Sequence, residues 1–121
     1  MNAPDSAARL AHARELLRGY PPGTVEAAEE FFRGGDPGAL DRLLNGVLLH
    51  HLASKSDRPP FATLPPDARL VEDIGVDSLA MVEMVFLLEE LLGAKFPDDE
   101  LRRLQTLADL RAAVRAKAAG A

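Results

Sequence analysis

The segment Ser78–Leu92 is apolar on two faces at once, and this limits the possible folds more than any other stretch. At about 100° per residue in a helix, Met81, Met84, Val85, Leu88, Leu91 and Leu92 share one face. The opposite face carries Leu79, Val82, Glu83, Phe86, Glu89 and Glu90. A solvated face has no need of Leu79, Val82 and Phe86, and leaving a side chain such as Phe86 exposed forgoes roughly 1.5–3 kcal/mol of burial. Two arrangements satisfy the pattern. Either the helix is central and buried on both sides, or the second face is an apolar strip bordered by acids that docks on other proteins. The three glutamates favour docking, because unpaired carboxylates are not buried.

Helical periodicity continues on both sides of this segment. Ser6 can cap a first helix that runs through Arg18 and ends at Gly19, and Tyr20-Pro21-Pro22-Gly23 is a break. Thr24 can cap a second helix with Val25, Ala28, Phe31 and Phe32 as its apolar side, stopped by Gly34-Gly35. Asp36-Pro37 restarts the chain, with Asp as cap and Pro at the first helical position. The third helix is expected to reach about Ala53, with Leu40, Leu43, Leu44, Val47, Leu48 and Leu52 at helical spacing. Ser54 to Val76 reads as a long loop, a length that is often functional. Asp77 can cap the two-faced helix, which stops at Gly93. Pro97-Asp98 opens a short turn of helix to about Arg103, and Thr106-Leu107-Ala108-Asp109 resembles a capping box opening a last helix to about Lys117.

Composition narrows the chemistry. With 47% apolar residues the chain can fold, and with only 5% aromatics it suits small helical packing better than a β-sandwich. There is no cysteine, so disulfides, thiolate metal sites and cysteine nucleophiles are excluded, and any thioester chemistry needs a thiol from a cofactor. The net charge of −5 conceals an asymmetry: Glu72 to Glu100 holds nine acids against the single base Lys95. Such a stretch repels nucleic acid and favours partners with basic patches. The start, Met1-Asn2-Ala3-Pro4-Asp5, lacks the regions of a signal peptide, and Met84 to Leu88 is too short to span a membrane. A cytoplasmic monomer is the expectation.

The residues before the two-faced helix read Leu70-Val71-Glu72-Asp73-Ile74-Gly75-Val76-Asp77-Ser78-Leu79. This resembles the acyl carrier protein family, whose second helix opens with an apolar residue, two acids, Leu or Ile, Gly, any residue, then Asp-Ser-Leu. The resemblance covers about Asp36 to Lys117. It implies an all-α fold: a four-helix acyl-carrier bundle with a short third helix, here preceded by one or two extra N-terminal helices. It implies a 4'-phosphopantetheine arm, drawn from coenzyme A by a phosphopantetheinyl transferase and attached to Ser78, with Asp77 and Leu79 beside it. The arm would hold acyl intermediates as thioesters and present them to acyl-transferring, condensing and modifying enzymes of fatty-acid, polyketide or specialised lipid synthesis. Docking would use Val82, Glu83, Phe86, Glu89 and Glu90. Such a chain is not an enzyme. The alternative is a carrier-like module that is never modified and docks through its acidic, apolar helix.

The expected domains are a helical extension over 1–35, an acyl carrier domain over 36–117 and a flexible tail over 118–121. The extension's helices, over 5–33, are expected to lie against the bundle, because Phe31 and Phe32 are costly to expose. Ala80 and Leu91 stand where many family members place acids, and with the extension they suggest a specialised carrier. Gly75-Val76-Asp77-Ser78 fits the acyl type better than the peptidyl type, which shows Gly-Gly-His/Asp-Ser. His50-His51 point about 100° apart and are read as surface residues rather than metal ligands. Asp98-Asp99-Glu100 reads as first-turn acids favoured by the helix dipole, and Arg102, Arg103, Arg111 and Arg115 as a solvated face.

Overall fold

Glycines and an Asp-Pro pair set where the helices begin and stop. The computed structural model of the chain describes residues 6–52 and 65–120. The expected Ser6 side-chain cap, the expected helix end at Ala53, residues 54–64 of the expected loop, and Ala121 lie outside the described residues. The elements are α1 (Ser6–Leu16), α2 (Thr24–Gly34), α3 (Pro37–His51), a π-helical turn (Leu70–Ile74), α4 (Ser78–Leu92), α5 (Asp98–Leu101) and α6 (Leu107–Gly120). The fold is all-α, and α3 to α6 follow the long, long, short, long order of an acyl-carrier bundle behind two extra helices. α6 runs three residues past the expected end at Lys117. The chain divides after His50 into two compact units.

In the first unit α1 packs on α2, with Leu10 and Ala13 of α1, Leu17 just past its end, and Ala27 and Ala28 of α2 all buried. Nε of Arg14 donates to Glu29 at 2.8 Å across the pair. Exposed ion pairs contribute about 0–1 kcal/mol, so apolar burial holds these helices together. Two further contacts close the unit. Tyr20 stacks on His50 with ring centroids 3.7 Å apart. The Arg9 guanidinium lies 5.5 Å from the centre of the Phe32 ring. Asp36 Oδ1 accepts the Gly38 N–H at 3.1 Å, so the expected Asp-Pro opening of α3 is present.

Thr24 departs from its expected role. Gly23 stands at the N-cap of α2 with no side-chain cap, and Thr24 is turned inward, 2% exposed. Its Oγ1 has no hydrogen-bond partner. The reason is Gly46 on α3: a Cβ there would lie 2.9 Å from both Cβ and Cγ2 of Thr24. The two helices approach so closely that one side needs a bare Cα. The extension is thereby seated on α3, the helix at which the carrier domain was expected to begin.

In the second unit the presumed loop is ordered where it is described. The Leu70 N–H donates to Gln105 O and the Leu107 N–H to Ala68 O, each at 2.9 Å, around an isolated bridge between Arg69 and Thr106. The entry to α6 is a full capping box: Thr106 Oγ1 accepts from the Asp109 N–H, and Asp109 Oδ2 accepts from those of Gln105 and Thr106, all at 3.1 Å. These backbone hydrogen bonds hold the Asp109 carboxyl below the usual carboxylate range. α4 packs on α6, with Met84, Leu88 and Leu92 of the one and Leu107, Leu110 and Val114 of the other buried. Each such side chain contributes roughly 1.5–3 kcal/mol. Arg102, Arg103 and Arg115 are exposed as expected, but Arg111 is half-buried with its Nε shielded from solvent.

Gly46→Ala tests the seating of the extension. Helix propensity alone would stabilise by about 1 kcal/mol. Overpacking against Thr24 costs about 1–3 kcal/mol and reverses the sign. Urea unfolding should show net destabilisation of Gly46→Ala, largely recovered in a Thr24→Gly, Gly46→Ala double variant.

Candidate functional site

The site is built from the turn that precedes α4. Asp73 accepts the Arg69 backbone N–H at 2.8 Å and its guanidinium at 3.2 Å. The side-chain hydrogen bond to Arg69, then the backbone one, lower the Asp73 pKa. The Ile74 N–H donates to Arg69 O at 3.0 Å, five residues back, which makes the turn π-helical. Leu70 and Ile74 are buried beneath it. Gly75 closes the turn at φ +92°, donating to Leu70 O, in a left-handed conformation that glycine adopts without steric cost. Of the two motif acids, Asp73 therefore holds the turn, while Glu72 faces solvent.

α4 starts with Asp77, whose Oδ1 accepts the Ala80 N–H at 2.8 Å. Capping thus falls to Asp77 and leaves the Ser78 hydroxyl out of it. Ser78 is exposed in the first turn. Leu79, Val82 and Phe86 are exposed along the same helix, Phe86 by 63%. A helix buried on both sides is therefore not what forms. Glu83 and Glu90 are exposed beside this strip. Val71, 61% exposed in the π turn, is a fourth exposed large apolar residue that the periodicity of α4 could not signal. The spacing of Leu70 and Ile74, one helical turn apart, is the signal that would have found it: with those two inward, Val71 is left outside.

Two positions on α4 differ from the sequence reading. Ala80, read as a charge missing from the docking surface, is buried at 6% exposure, and Leu91 is buried at 4% on the apolar face where spacing placed it. An acid at either place would sit in the core, where an unpaired carboxylate is strongly disfavoured. Glu89 leaves the strip: its side chain is 11% exposed and accepts the Phe96 N–H at 2.8 Å, with Lys95 Nζ 3.9 Å away. A groove of about 430 Å³ remains at this end, lined by Phe86, Glu89, Glu90, Gly93, Ala94 and Lys95. The histidines are not simple surface residues either. His50 stacks on Tyr20, and His51, 10% exposed in its side chain, brings Nδ1 to 3.5 Å from Glu83 Oε1. Of the acids read as first-turn residues, Glu100 pairs with Lys117 at 2.8 Å and Asp99 with Arg103 at 3.7 Å.

An exposed serine thus stands at the N-terminus of α4, with a glycine-closed turn before it and an apolar strip after it. Residues 48–114 match the family described as phosphopantetheine attachment site. The acyl carrier protein of Akkermansia muciniphila is 32% identical over 72 residues, 60% of this chain and 84% of that protein. The acyl carrier protein of Acidothermus cellulolyticus is 42% identical over 50 residues, 41% of this chain and 60% of that protein. Acyl carrier protein MbtL of Mycobacterium tuberculosis is 44% identical over 52 residues, 43% of this chain and 62% of that protein. The chain thus spans only about three-fifths of the length of the last two relatives. No solved structure matches. The chain belongs to the phosphopantetheine attachment family of acyl carrier proteins, which carry and do not catalyse.

Its prosthetic group is a covalently attached 4'-phosphopantetheine. The residues present fit that group. A phosphodiester needs an exposed hydroxyl whose loss as a donor costs the fold nothing, and Ser78 meets both conditions because Asp77 does the capping. The helix N-terminus also favours a phosphate by about 0.3–1 kcal/mol. Among the described residues no helix is long and apolar enough to cross a membrane.

Glu89 should matter to folding where its neighbour does not. Glu89→Ala leaves the buried Phe96 backbone N–H without its acceptor and should cost about 1–3 kcal/mol in denaturant unfolding, whereas Glu90→Ala should change stability by less than about 0.5 kcal/mol.

Proposed function

We propose that Ser78 carries the phosphopantetheine arm and that the chain shuttles acyl groups as thioesters between partner enzymes. The observation that carries this reading is the exposed Ser78 hydroxyl, released from capping by Asp77, at the head of an exposed apolar strip. The group supplies the thiol that a cysteine-free chain lacks. Asp77 holds the helix start, and Leu79, Val82, Glu83, Phe86 and Glu90 form the surface on which a phosphopantetheinyl transferase and the acyl-handling enzymes dock. Such partners present basic, apolar patches, because the strip is bordered by acids. Glu89 acts from beneath the surface, holding the chain at Phe96. The carrier domain spans 36–117. The location is cytoplasmic, and the pathways that fit are those that build fatty acids, polyketides or specialised lipids.

Intact mass after incubation with coenzyme A and a broad-specificity transferase tests the attachment. Wild type should gain one phosphopantetheine and Ser78→Ala none, with unchanged helical circular dichroism. Gain by Ser78→Ala would move the attachment elsewhere. No gain by wild type with several transferases would leave an unmodified docking module.

Docking has its own test. Glu83→Lys combined with Glu90→Lys should slow transfer onto Ser78 about tenfold at low salt, because it reverses two charges on one helix side. Stability should change by less than about 1 kcal/mol, since both acids are exposed. The difference from wild type should shrink as salt rises. Equal rates across salt concentrations would remove this surface from the reading.

A further inference from the structure

On the exposed face of α4, Glu83 is held from below. Glu83 stands one helical turn from Leu79 on one side and from Phe86 on the other, so its carboxylate lies along the apolar strip. Its side chain is 54% exposed, and its Oε1 lies 3.5 Å from Nδ1 of His51. The imidazole is 10% exposed, at the last residue of α3, and so is itself held in place. The pair is thus asymmetric: a nearly buried imidazole beneath an acid whose outer side faces solvent. At 3.5 Å the contact is longer than a good hydrogen bond, so its effect is electrostatic orientation rather than a strong bond.

We propose that His51 is a positioning residue for partner docking, holding the Glu83 carboxylate in place over the strip before a basic partner arrives. The inference rests on the carrier reading of the preceding section. The physical reason is preorganisation. A glutamate on a helix surface samples many rotamers, and association must immobilise it at an entropic cost. Anchoring one carboxylate oxygen from below removes part of that cost and leaves the other for the partner's cation. His51 serves this purpose either as an imidazolium or as the tautomer with a proton on Nδ1, since each presents a positive edge to the carboxylate. An acid without such an anchor contributes charge to docking; Glu83 contributes charge and direction.

The test is transferase kinetics on the full chain, with coenzyme A as donor. His51→Ala should raise the KM for the chain about two- to fivefold, the size of coupling typical of a partly exposed pair, with kcat unchanged. His51→Gln, which keeps an N–H donor, should recover most of the loss. In a Glu83→Gln background, His51→Ala should add nothing to KM. Equal KM values for His51→Ala and wild type would overturn the proposal. So would the same KM rise with and without the Glu83 carboxylate, since that is the mark of a merely structural histidine; the thermal midpoint of His51→Ala, measured alongside, reports that structural part separately. Wild type that takes up no arm would overturn the carrier reading itself, an outcome distinct from arm uptake with KM values indifferent to His51.

Discussion

The hydrogen bond from the Ala80 N–H to the Asp77 carboxylate sets the phase of everything that follows it. A helix that starts one residue earlier or later rotates each of its side chains by about 100°. With the start held at Ser78, Met84, Leu88 and Leu92 turn into the core, and Leu79, Val82 and Phe86 turn out of it. The same bond relieves Ser78 of the capping role that a helix-start serine ordinarily takes. One side-chain contact therefore decides both which serine is presented and which apolar surface stands beside it. The π turn before it, tied by Arg69 and Asp73 and pinned to the start of α6, keeps that cap from drifting.

Much of this was legible in the amino-acid sequence, and the reasons differ by element. Helix starts could be read where the capping chemistry is local: Asp36-Pro37, Asp77, and the Thr106-Asp109 box all do what their side chains suggest. The strip on α4 could be read because Glu83 and Glu90 lie beside it, and carboxylates mark solvent. What periodicity could not resolve was the width of the core stripe. Ala80 and Leu87 are buried while Met81 is only half-buried, so the inward face is turned from the one that spacing alone picks out. Ala80 then changes meaning, from a charge absent at the surface to an ordinary core residue. Glu89 was misplaced for a related reason: the chain beyond Gly93 doubles back to bring Phe96 beneath it, and no local pattern announces a contact seven residues away.

The extension shows the opposite case, in which a plausible local signal was wrong. Thr24 sits where a cap belongs, yet its side chain is consumed by a tertiary contact with Gly46, twenty-two residues on. Glycine in the middle of a helix carries a propensity cost, and the sequence offered no reason for it. The reason is the close approach of two helix backbones. Tyr20 and His50 repeat the lesson, since a break-forming tyrosine and a polar histidine stack only because the chain reverses between them. Family resemblance has nothing to say here: the matched region begins at residue 48, beyond both α1 and α2.

An exposed phenylalanine and leucine on one helix are as attractive to another copy of the chain as to a partner. A symmetric pair would place the strip of one copy on the strip of the other and bring Glu83 and Glu90 against their own counterparts. On the proposed reading, the carboxylates that draw in a cationic enzyme thus also oppose self-recognition. Ionic strength shifts the two in opposite directions: dissolved salt loosens the grip on a basic partner while it removes the repulsion that keeps like strips apart. The acidic border is in this sense a colloidal device, letting a sticky surface stay exposed without joining its own kind.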